Sequence, residues 1–584
     1  MAIEEKNVKP TAPVGGAFLI ERQDANTVLI PEAFDDELRM FASTAATFVE
    51  REILPDFEQL EALDYELSRQ KMAKAGELGL LGVEIPEEYG GLGAGKAAAA
   101  VVTEAISGAG SFNVTFSAHS GIGTLPIVYF GTEEQKQKYL PKLATGEWIA
   151  AYCLTEPGSG SDSLAAKTRA VLDGDEWVLD GTKMWISNAG FADLFTVFAQ
   201  VDGDKFSAFL IEKDTPGLSL GAEEKKMGIK GSSTRQVILE GARIPKENLL
   251  GEIGKGHHIA FGILNIGRFK LAIGGSGGVK NLLELAQGYA KERHQFGVPI
   301  ATFGLIQEKI GAMAAEAFAL ESASYRLAGT MQAAAEGAAD SPAELKALNE
   351  YAVEFSFIKV FGSEILDFVV DEALQIYGGY GFSAEYPIEL AYRNSRINRI
   401  FEGTNEINRM LTVDQLLKRA MRGQLDLLGP AQEAMMGQPL TEAPGPEALS
   451  AANLAVENLK RATLMVAGMG AMAYMQGLEK EQELMARAAD MAGLVYFAES
   501  GLLRAERLAG TRNGAAAALF ARIYAFRAVD RARELGAEAL RRIPRGKEAL
   551  PRLQAYLAEH GQDLIELRRQ AAALVLDADG YPLN

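Results

Sequence analysis

Apolar residues recur along the chain in three patterns, and each pattern predicts a kind of secondary structure. In residues 34–150 they fall every three or four positions, the spacing of helices with one buried face. Residues 151–257 instead hold short runs such as LFTVFAQV and FSAFLIE, rich in β-branched and aromatic residues, which predict strands. In residues 258–420 the helical spacing returns in long segments. This order predicts a mainly α protein with a central β domain.

The two ends of the chain extend this organisation. Residues 1–33 carry no clear period and predict a loosely ordered N-terminal arm. Residues 421–450 are punctuated by Pro and Gly, which predicts a linker. Residues 451–584 are rich in Ala, Leu and Arg at helical spacing, which predicts an extra C-terminal helical domain. Within the β domain, Asp-Gly pairs at 173–174 and 202–203 predict hairpin turns.

Composition and charge narrow the class of protein. A chain of 584 residues is too long for one hydrophobic core, so roughly two to four domains are expected. The formal charge of −20 argues against a nucleic-acid surface, which needs a basic face. The N-terminus lacks a signal-peptide pattern and no apolar run reaches about 18 residues, so we expect a cytoplasmic protein that does not span a membrane. Cys153 is the only cysteine, and the five histidines are not at metal-ligand spacing, so we predict neither an internal disulfide nor a metal site.

Three glycine- or aromatic-containing segments suit ligand binding, and each also has a simpler interpretation. YCLTEPGSGSDS, residues 152–163, leaves a strand for a loop whose glycines and hydroxyls suit a phosphate or a flavin ring edge, or form an ordinary surface loop. GTKMWISNAG places Trp185 on a strand, where taken alone a core Trp is the preferred interpretation. QIYGGYGF, residues 375–382, is a glycine cluster that equally fits a helix C-cap and a turn.

Three further segments carry a charge in an unusual place. Arg293 in ERHQFGVPI would contact a phosphate or favour the end of the preceding helix. Arg268 in NIGRF lies in an otherwise apolar helix, and a buried Arg needs a carboxylate or a ligand as its partner. Glu402 in RIFEGTNEIN follows two bulky apolar residues and precedes a glycine, before a helix that Asn405 would cap. A carboxylate in such a turn would act as a base or pair with an arginine.

In this order the segments resemble the acyl-CoA dehydrogenase family of flavoproteins. The resemblance covers about residues 34 to 415 and rests on five motifs: YCLTEPGSGSD, KMWISNAG, ERHQFG, QIYGGYGF and RIFEGTNEIN. EKKMGIKGSSTRQV, NIGRF, FGLIQEKI and the C-terminal extension are most similar to the very-long-chain branch. The resemblance implies the acyl-CoA dehydrogenase fold and a FAD-dependent enzyme of β-oxidation. Such an enzyme oxidises a fatty acyl-CoA, here expected to be long, to the trans-2-enoyl-CoA.

The resemblance identifies Glu402 as the catalytic base that removes the α proton. Burial beside Ile400 and Phe401 would raise the pKa of its carboxylate and so fit it to a weakly acidic C–H. The backbone N–H of the same residue would hold the thioester carbonyl. Some relatives supply the base from the residue before Arg268, but here that residue is Gly267, which has no side chain to act.

The resemblance also implies binding residues for two ligands. FAD contacts are implied for Tyr152, Leu154, Thr155, Gly160, Ser161, Trp185, Ile186, Ser187, Arg293, Phe296, Gln375, Gly378, Gly379, Thr404 and Glu406. Acyl-CoA contacts are implied for Ser161, Asn265, Arg268, Phe401 and Gly403. Arg293, Gln375, Gly378 and Gly379 would reach the cofactor across a subunit boundary. We interpret Cys153 as strand packing.

The implied partners are acyl-CoA, electron-transfer flavoprotein and a second copy of the chain. Two alternatives stay open: an oxygen-using acyl-CoA oxidase of the same fold, and a non-catalytic scaffold protein. The C-terminal extension implies a homodimer, with the tetramer of shorter members as the alternative. Residues 464–475, rich in Met and Gly, would touch a membrane surface or, as we prefer, form a helix–helix seam.

Overall fold

The computed structural model describes residues 11–578 and 580–583, and it divides into two compact units. The sheet unit consists of Asp35–Lys270 and Ala334–Asn349. The helical unit consists of Met1–Phe34, Leu271–Ala333 and Glu350–Asn584. Among the described residues, no helix combines the length and the apolar character needed to cross a bilayer.

The sheet unit begins with seven helices. They are α1 Asp36–Phe48, α2 Phe57–Glu61, α3 Tyr65–Glu77, α4 Gly95–Ile106, α5 Phe112–Ala118, α6 Leu125–Phe130 and α7 Glu133–Thr145. Local caps explain where several begin. The carboxylate of Asp35 accepts the Leu38 N–H at the start of α1, and Thr132 with Gln135 forms a capping box at the start of α7.

A set of eight strands follows in the same unit. They are β1 Ala150–Cys153, β2 Arg169–Asp173, β3 Glu176–Ser187, β4 Leu194–Val201, β5 Lys205–Glu212, β6 Leu218–Leu220, β7 Thr234–Pro245 and β8 Leu249–Leu250. The sheet order is β6-β7-β3-β2-β4-β5-β8, with β1 paired to β4. Only the β1–β4 and β2–β4 pairs are parallel, and both predicted Asp-Gly hairpins are confirmed, between β2 and β3 and between β4 and β5.

The core of the sheet comes from residues buried on its inner face. Trp177 on β3, Phe195 on β4 and Phe209 on β5 are each at most 3% exposed and belong to one apolar cluster. Cys153 lies in the same cluster, where burial raises the pKa of its thiol, so it packs as a small apolar residue.

The helical unit is built from long helices. Helix α8, Gly256–Glu292, starts in the sheet unit, and the short α10, Ser341–Leu348, belongs there as well. The others are α9 Gly304–Glu336, α11 Ala352–Tyr377, α12 Pro387–Ser395, α13 Asn405–Met421, α14 Leu428–Met436, α15 Ser450–Tyr474, α16 Gln482–Arg507, α17 Gly514–Arg542, α18 Leu550–Tyr556 and α19 Leu564–Asp577. A two-stranded hairpin, β9 His294–Gln295 and β10 Val298–Pro299, follows α8. The predicted mainly α fold with a central β domain and an extra C-terminal helical domain is confirmed.

Two expectations about irregular segments were wrong. The N-terminal arm is not loose over its described part, residues 11–33: Phe18 and Ile30 are at most 5% exposed, and Glu32 forms a buried ion pair with Arg504 at 2.8 Å. The buried residues of the arm lie in or next to short 3₁₀ turns, so their spacing shows neither the helix period nor the strand period in the sequence. The predicted linker also contains a regular element, α14, which packs on α15 through buried small residues.

Candidate functional site

In the sheet unit, the flavin loop, which is the part of YCLTEPGSGSDS that follows β1, begins next to a buried ion pair. Tyr152 and Leu154 are buried, each 8% exposed. Glu156, two residues further on, accepts hydrogen bonds from the Lys183 ammonium at 2.7 Å, from the Lys167 N–H at 2.6 Å and from the Thr168 N–H at 3.0 Å. One carboxylate thus ties both ends of the loop to β3.

The charge state of Glu156 follows from these contacts. Burial acts to raise the pKa of its carboxyl, but the Lys183 ammonium and the two backbone donors outweigh burial and hold that pKa below its ordinary value. The Lys183 side chain is fully buried, and its ammonium also donates to the Leu154 carbonyl at 3.3 Å. The loop therefore rests on an ionised carboxylate that accepts three hydrogen bonds.

Trp185 lies on a bulge of β3 and points outward, so the core interpretation of this residue was wrong. The pairing of β3 with β7 breaks between Lys183 and Ile186, and Trp185 adopts a positive φ of 61°. Its side chain is 53% exposed, whereas Ile186 is 2% exposed. The Met184 N–H donates to the Thr155 carbonyl at 2.8 Å, which joins the two segments predicted to contact the flavin.

The loop itself fits a flavin and its diphosphate. A side chain added at Gly158 or Gly160 would meet nothing within 4 Å, so the backbone there is open to a ligand. Thr155 and the exposed Ser161 add hydroxyl donors, and Ser187 ends β3 opposite Thr234. Backbone N–H groups, hydroxyls and an exposed indole are the donor set that such a cofactor needs.

Two predicted acyl-CoA residues lie together on α8, in the part of this helix that belongs to the sheet unit. Arg268 is 6% exposed and its Nη1 donates to Asn265 Oδ1 at 2.8 Å. Asn265 in turn donates to Asn349 Oδ1 at 2.9 Å. The buried arginine therefore has an amide partner that fixes its direction, rather than standing alone in an apolar helix.

His119 holds the start of β1 and was not singled out from the sequence. Its Nε2 lies 3.0 Å from the Leu143 carbonyl, and its Nδ1 accepts the Ala150 N–H at 3.0 Å. This assigns the proton to Nε2 of a neutral ring. Burial lowers the pKa of His119 to about 4, against the weaker opposing effect of the Leu143 carbonyl.

In the helical unit, the predicted adenine-diphosphate residues form an exposed surface beside the β9–β10 hairpin. The Arg293 guanidinium lies 5.2 Å from the centre of the Tyr380 ring, so the structure brings ERHQFG and QIYGGYGF together. Phe296, at the hairpin tip, has a φ of 52° and is 95% exposed. Gln375, in the last turn of α11, is exposed.

The glycines of QIYGGYGF serve both of the functions considered for them. Gly378 has a φ of 58° and its N–H bonds the Gln375 carbonyl, so it does end α11 as a cap. A side chain at Gly378 or Gly379 would nevertheless meet nothing within 4 Å. This leaves exposed backbone next to Arg293, an arrangement that fits an anionic group.

Glu402 occupies the turn before α13 in a left-handed conformation. Its φ is 56° and that of Gly403 is 80°, so the chain reverses sharply there. The carboxylate oxygen Oε2 is buried, although the residue as a whole is half-buried. Ile400 is 49% exposed, so this chain covers it only in part. Phe401 is half-buried.

Buried polar side chains hold this turn. The Lys359 ammonium, on α11, donates to the Gly403 carbonyl at 2.7 Å and to Asn405 Oδ1 at 2.8 Å. Asn408 Nδ2 donates to the carbonyls of residues 402, 403 and 404 at 3.3, 2.8 and 3.1 Å. The backbone on both sides of Glu402 is therefore fixed by groups that are themselves at most 2% exposed.

The helix cap of α13 is Thr404, so the expected cap at Asn405 was wrong. Thr404 has extended backbone angles and its hydroxyl accepts the Ile407 N–H at 3.3 Å. Asn405 is instead buried and donates to Ser363 and Glu364 on α11. Glu406 is exposed in the first helical turn, where hydrogen bonds from its own N–H and then from Thr404 lower the pKa of its carboxyl.

Sequence reasoning missed Lys359, Asn408, Glu156 and Lys183. One signal was available: Lys359 is a lone cation in the apolar helix FSFIKVFG, the same pattern that drew attention to Arg268. The other three gave no signal. Glu156 and Lys183 meet only in the folded chain, and Asn408 bonds carbonyls that precede it across a turn whose shape the sequence does not show.

Four family models match the chain. The acyl-CoA dehydrogenase N-terminal domain matches residues 35–147, the middle domain 151–242 and the C-terminal domain 254–417. A further acyl-CoA dehydrogenase C-terminal domain matches residues 458–555, in the added helical part. The five sequence motifs lie within the first three matches.

Known proteins agree with these matches over nearly the whole chain. A probable acyl-CoA dehydrogenase of Bacillus subtilis is 49% identical and covers 97% of this chain and 98% of its own. The human mitochondrial very long-chain specific acyl-CoA dehydrogenase is 38% identical over 74% of this chain and 69% of its own. The crystal structure of an acyl-CoA dehydrogenase complexed with FAD from Bacillus anthracis superposes with a TM-score of 0.95, at 46% identity over 98% of this chain and 100% of its own. The chain therefore belongs to the acyl-CoA dehydrogenase family of oxidoreductases.

Proposed function

We propose that this protein is a FAD-dependent dehydrogenase of fatty acyl-CoA thioesters, with long chains as its substrates and Glu402 as its base. The observation that carries the proposal is the turn at Glu402, which keeps an acidic residue in a left-handed conformation beside buried Lys359 and Asn408. A residue held in such a conformation by its surroundings is a mark of function, because the conformation is costly for a side chain.

The chain's own residues supply base, orientation and binding. Glu402 takes the proton from the carbon next to the thioester, and its backbone N–H, at the same turn, holds the thioester carbonyl. Lys359 and Asn408 keep the turn from relaxing, so the carboxylate stays aimed. Arg268 and Asn265 bind the acyl-CoA together with Ser161, Phe401 and Gly403.

The residues of the β1 loop and of the β3 bulge would hold the isoalloxazine of FAD, and those near the β9–β10 hairpin its adenine-diphosphate half. These are the cofactor residues named from the sequence: Tyr152, Leu154, Thr155, Gly160, Ser161, Trp185, Ile186, Ser187, Arg293, Phe296, Gln375, Gly378, Gly379, Thr404 and Glu406. When bound, FAD accepts the hydride from the β carbon. The Bacillus anthracis relative is complexed with FAD, which supports the same cofactor here.

Partner and assembly belong to the same proposal. Electrons leave through electron-transfer flavoprotein, and the protein works as a homodimer whose partner chain completes the cofactor site. The similarity to the very long-chain specific enzyme supports a long acyl chain in the substrate. It also supports our assignment of residues 451–584 as the extension that makes the protein a homodimer. The proposed domain boundaries place the end of the N-terminal arm at residue 33 and the segment before the C-terminal extension at residues 421–450.

The test is anaerobic reduction of the bound flavin by acyl-CoA thioesters of increasing chain length. We expect bleaching that is fastest with long chains, and none in Glu402→Gln, because an amide cannot take the proton. Glu385→Gln, an exposed acid of the same unit, is the control and should bleach normally.

Bleaching of Glu402→Gln at the wild-type rate would refute the assignment of the base. Protein that stays colourless with FAD and inert toward acyl-CoA would favour the scaffold alternative. Peroxide release in air, without reduction of electron-transfer flavoprotein, would favour the oxidase.

A further inference from the structure

A partly open cavity, lined by none of the residues assigned to FAD or acyl-CoA, lies in the helical unit. It measures about 240 Å³ and is bounded by the N-terminal segment, α9, the start of α11 and α16. Its lining combines exposed residues with four buried polar ones: a carboxyl, two phenols and a guanidinium. They belong to Glu354, Tyr351, Tyr496 and Arg326.

Glu354 is the buried group with unused bonding capacity. It is 5% exposed, and its Oε1 accepts the Gly16 N–H at 2.7 Å. Its Oε2 is buried and has no hydrogen-bond partner among the residues that the structure describes. Tyr351 and Tyr496 are each 3% exposed, and no hydrogen bond joins either hydroxyl to another described residue. A buried carboxylate oxygen normally has a hydrogen-bond partner, so the unpartnered Oε2 of Glu354 in a cavity that two phenol rings also line indicates a ligand.

The charge of the lining selects the kind of ligand. Arg326 lies 4.5 Å from the centre of the Tyr496 ring and donates to Glu499 at 2.7 Å, and Arg22 donates to Glu506 at 2.6 Å. Both cations are therefore neutralised by acids outside the lining. The acidic lining residues are Glu21, Asp24 and Glu354. The charge left without a counterpart is negative.

Burial and the groups that face Glu354 together determine the pKa of its carboxyl. Burial raises the pKa of its carboxyl to about 7, against the Gly16 N–H of the N-terminal segment, Arg419 of α13 and Arg326 of α9. Arg419 is itself bound by Glu350 at 2.9 Å, and Tyr351 and Tyr496 complete the surroundings. A cation in the cavity would therefore bind with ionisation of Glu354.

We propose that this cavity binds a small organic ammonium ion, whose N–H groups donate to Glu354 Oε2 and whose alkyl part contacts the rings of Tyr351 and Tyr496. An anion would meet the unbalanced negative charge, and a neutral alcohol would satisfy the hydrogen bonds while leaving that charge uncompensated. Aromatic rings beside a carboxylate are a common way to bind an ammonium group.

The test is calorimetric titration of the full-length holoenzyme with n-butylammonium chloride, with n-butanol as the uncharged probe of similar size. We expect butylammonium to bind at pH 8 and butanol to bind at least tenfold more weakly. At pH 6 the affinity for butylammonium should fall about tenfold, because a pKa near 7 leaves only about a tenth of the carboxyl ionised.

Variants separate this site from general charge attraction. Glu354→Gln, which keeps an acceptor for Gly16, should lose at least tenfold in affinity at pH 8 and lose the pH dependence. Tyr351→Phe, which keeps the ring, should bind nearly as the wild type, whereas Tyr351→Leu, which removes the aromatic face, should bind several-fold more weakly. Glu21→Gln removes an exposed acid of the same lining and should bind nearly as the wild type. Wild-type affinity in Glu354→Gln, an equal loss in Glu21→Gln, equal binding of butanol, or no binding of butylammonium would each overturn the proposal.

Discussion

Replacing Glu156 by Gln should loosen the flavin loop more than any other single change near it. The substitution keeps the shape of the side chain but leaves the Lys183 ammonium, which is fully buried, without its counter-charge. Breaking a buried pair by removing one partner costs about 3–5 kcal/mol. The amide also offers a single oxygen to the Lys167 and Thr168 N–H groups, which now bond a carboxylate at 2.6 and 3.0 Å.

Replacing the other partner, as in Lys183→Met, should lower the local stability of the loop by less than Glu156→Gln does. Glu156 would keep both backbone donors and lose one charge-assisted hydrogen bond, which costs about 2 kcal/mol. The Leu154 carbonyl would lose only the longer contact at 3.3 Å. In the double variant neither charge is left unpaired. Its cost should therefore be smaller than the sum of the two single costs by about 2 kcal/mol or more.

Native-state hydrogen exchange at the Lys167 and Thr168 amides measures these costs where they arise. In Glu156→Gln the two amides should exchange about a hundred- to a few thousandfold faster, since each 1.4 kcal/mol is a factor of ten, and FAD should dissociate faster as well. The Gly241 amide, which bonds Asp180 of β3 at 2.8 Å, is the internal control. Strictly additive costs, or a larger cost for Lys183→Met than for Glu156→Gln, would refute the reasoning.

Three further predictions concern other residues. Arg268→Ala should weaken acyl-CoA binding about ten- to a hundredfold while changing FAD affinity little, because one charge-assisted contact is lost; equal losses in titrations of both ligands would contradict this. Lys359→Met should slow flavin reduction at saturating acyl-CoA about a hundredfold with an unchanged half-saturating concentration, since a base misplaced by about 1 Å loses that much; an unchanged rate would exclude its positioning role. His119, with its folded pKa lowered to about 4, stabilises the fold above its unfolded pKa of about 6.5, and this contribution of about 3 kcal/mol is lost as pH falls from 6.5 to 4. Urea midpoints across that range should therefore fall more steeply than in His119→Gln, and parallel curves would refute the account.

Much of the fold could be predicted because its signals are local. Runs such as LFTVFAQV became β4 with seven of eight positions buried, and the Asp-Gly pairs became hairpins, since turn chemistry acts within a few residues. The same locality explains the failures. Trp185 faces outward only because β3 is bulged against β7, and the partners that create the bulge lie far away in the sequence.

The sequence predicted the charged residues of the candidate site, but not the residues that hold the backbone around them. Glu402 and Arg268 were found because a charge stood in an apolar segment. The choice between Thr404 and Asn405 as the cap could not be made, since both are good cap formers and only the backbone angles at Thr404 decide it. Asn408 was missed because its three carbonyl partners precede it across a turn whose shape the sequence does not show.

Trp185, Phe296 and Glu402 share positive φ angles of 61°, 52° and 56°. A side chain in that region costs about 1–2 kcal/mol that glycine would not incur. Glycine at these three positions would therefore be favoured in any laboratory evolution scored on heat resistance alone, and each gain would remove a side chain that we assign to cofactor or proton transfer. Thermostable variants from such a screen should be sequenced at these codons before their turnover is compared with that of the parent.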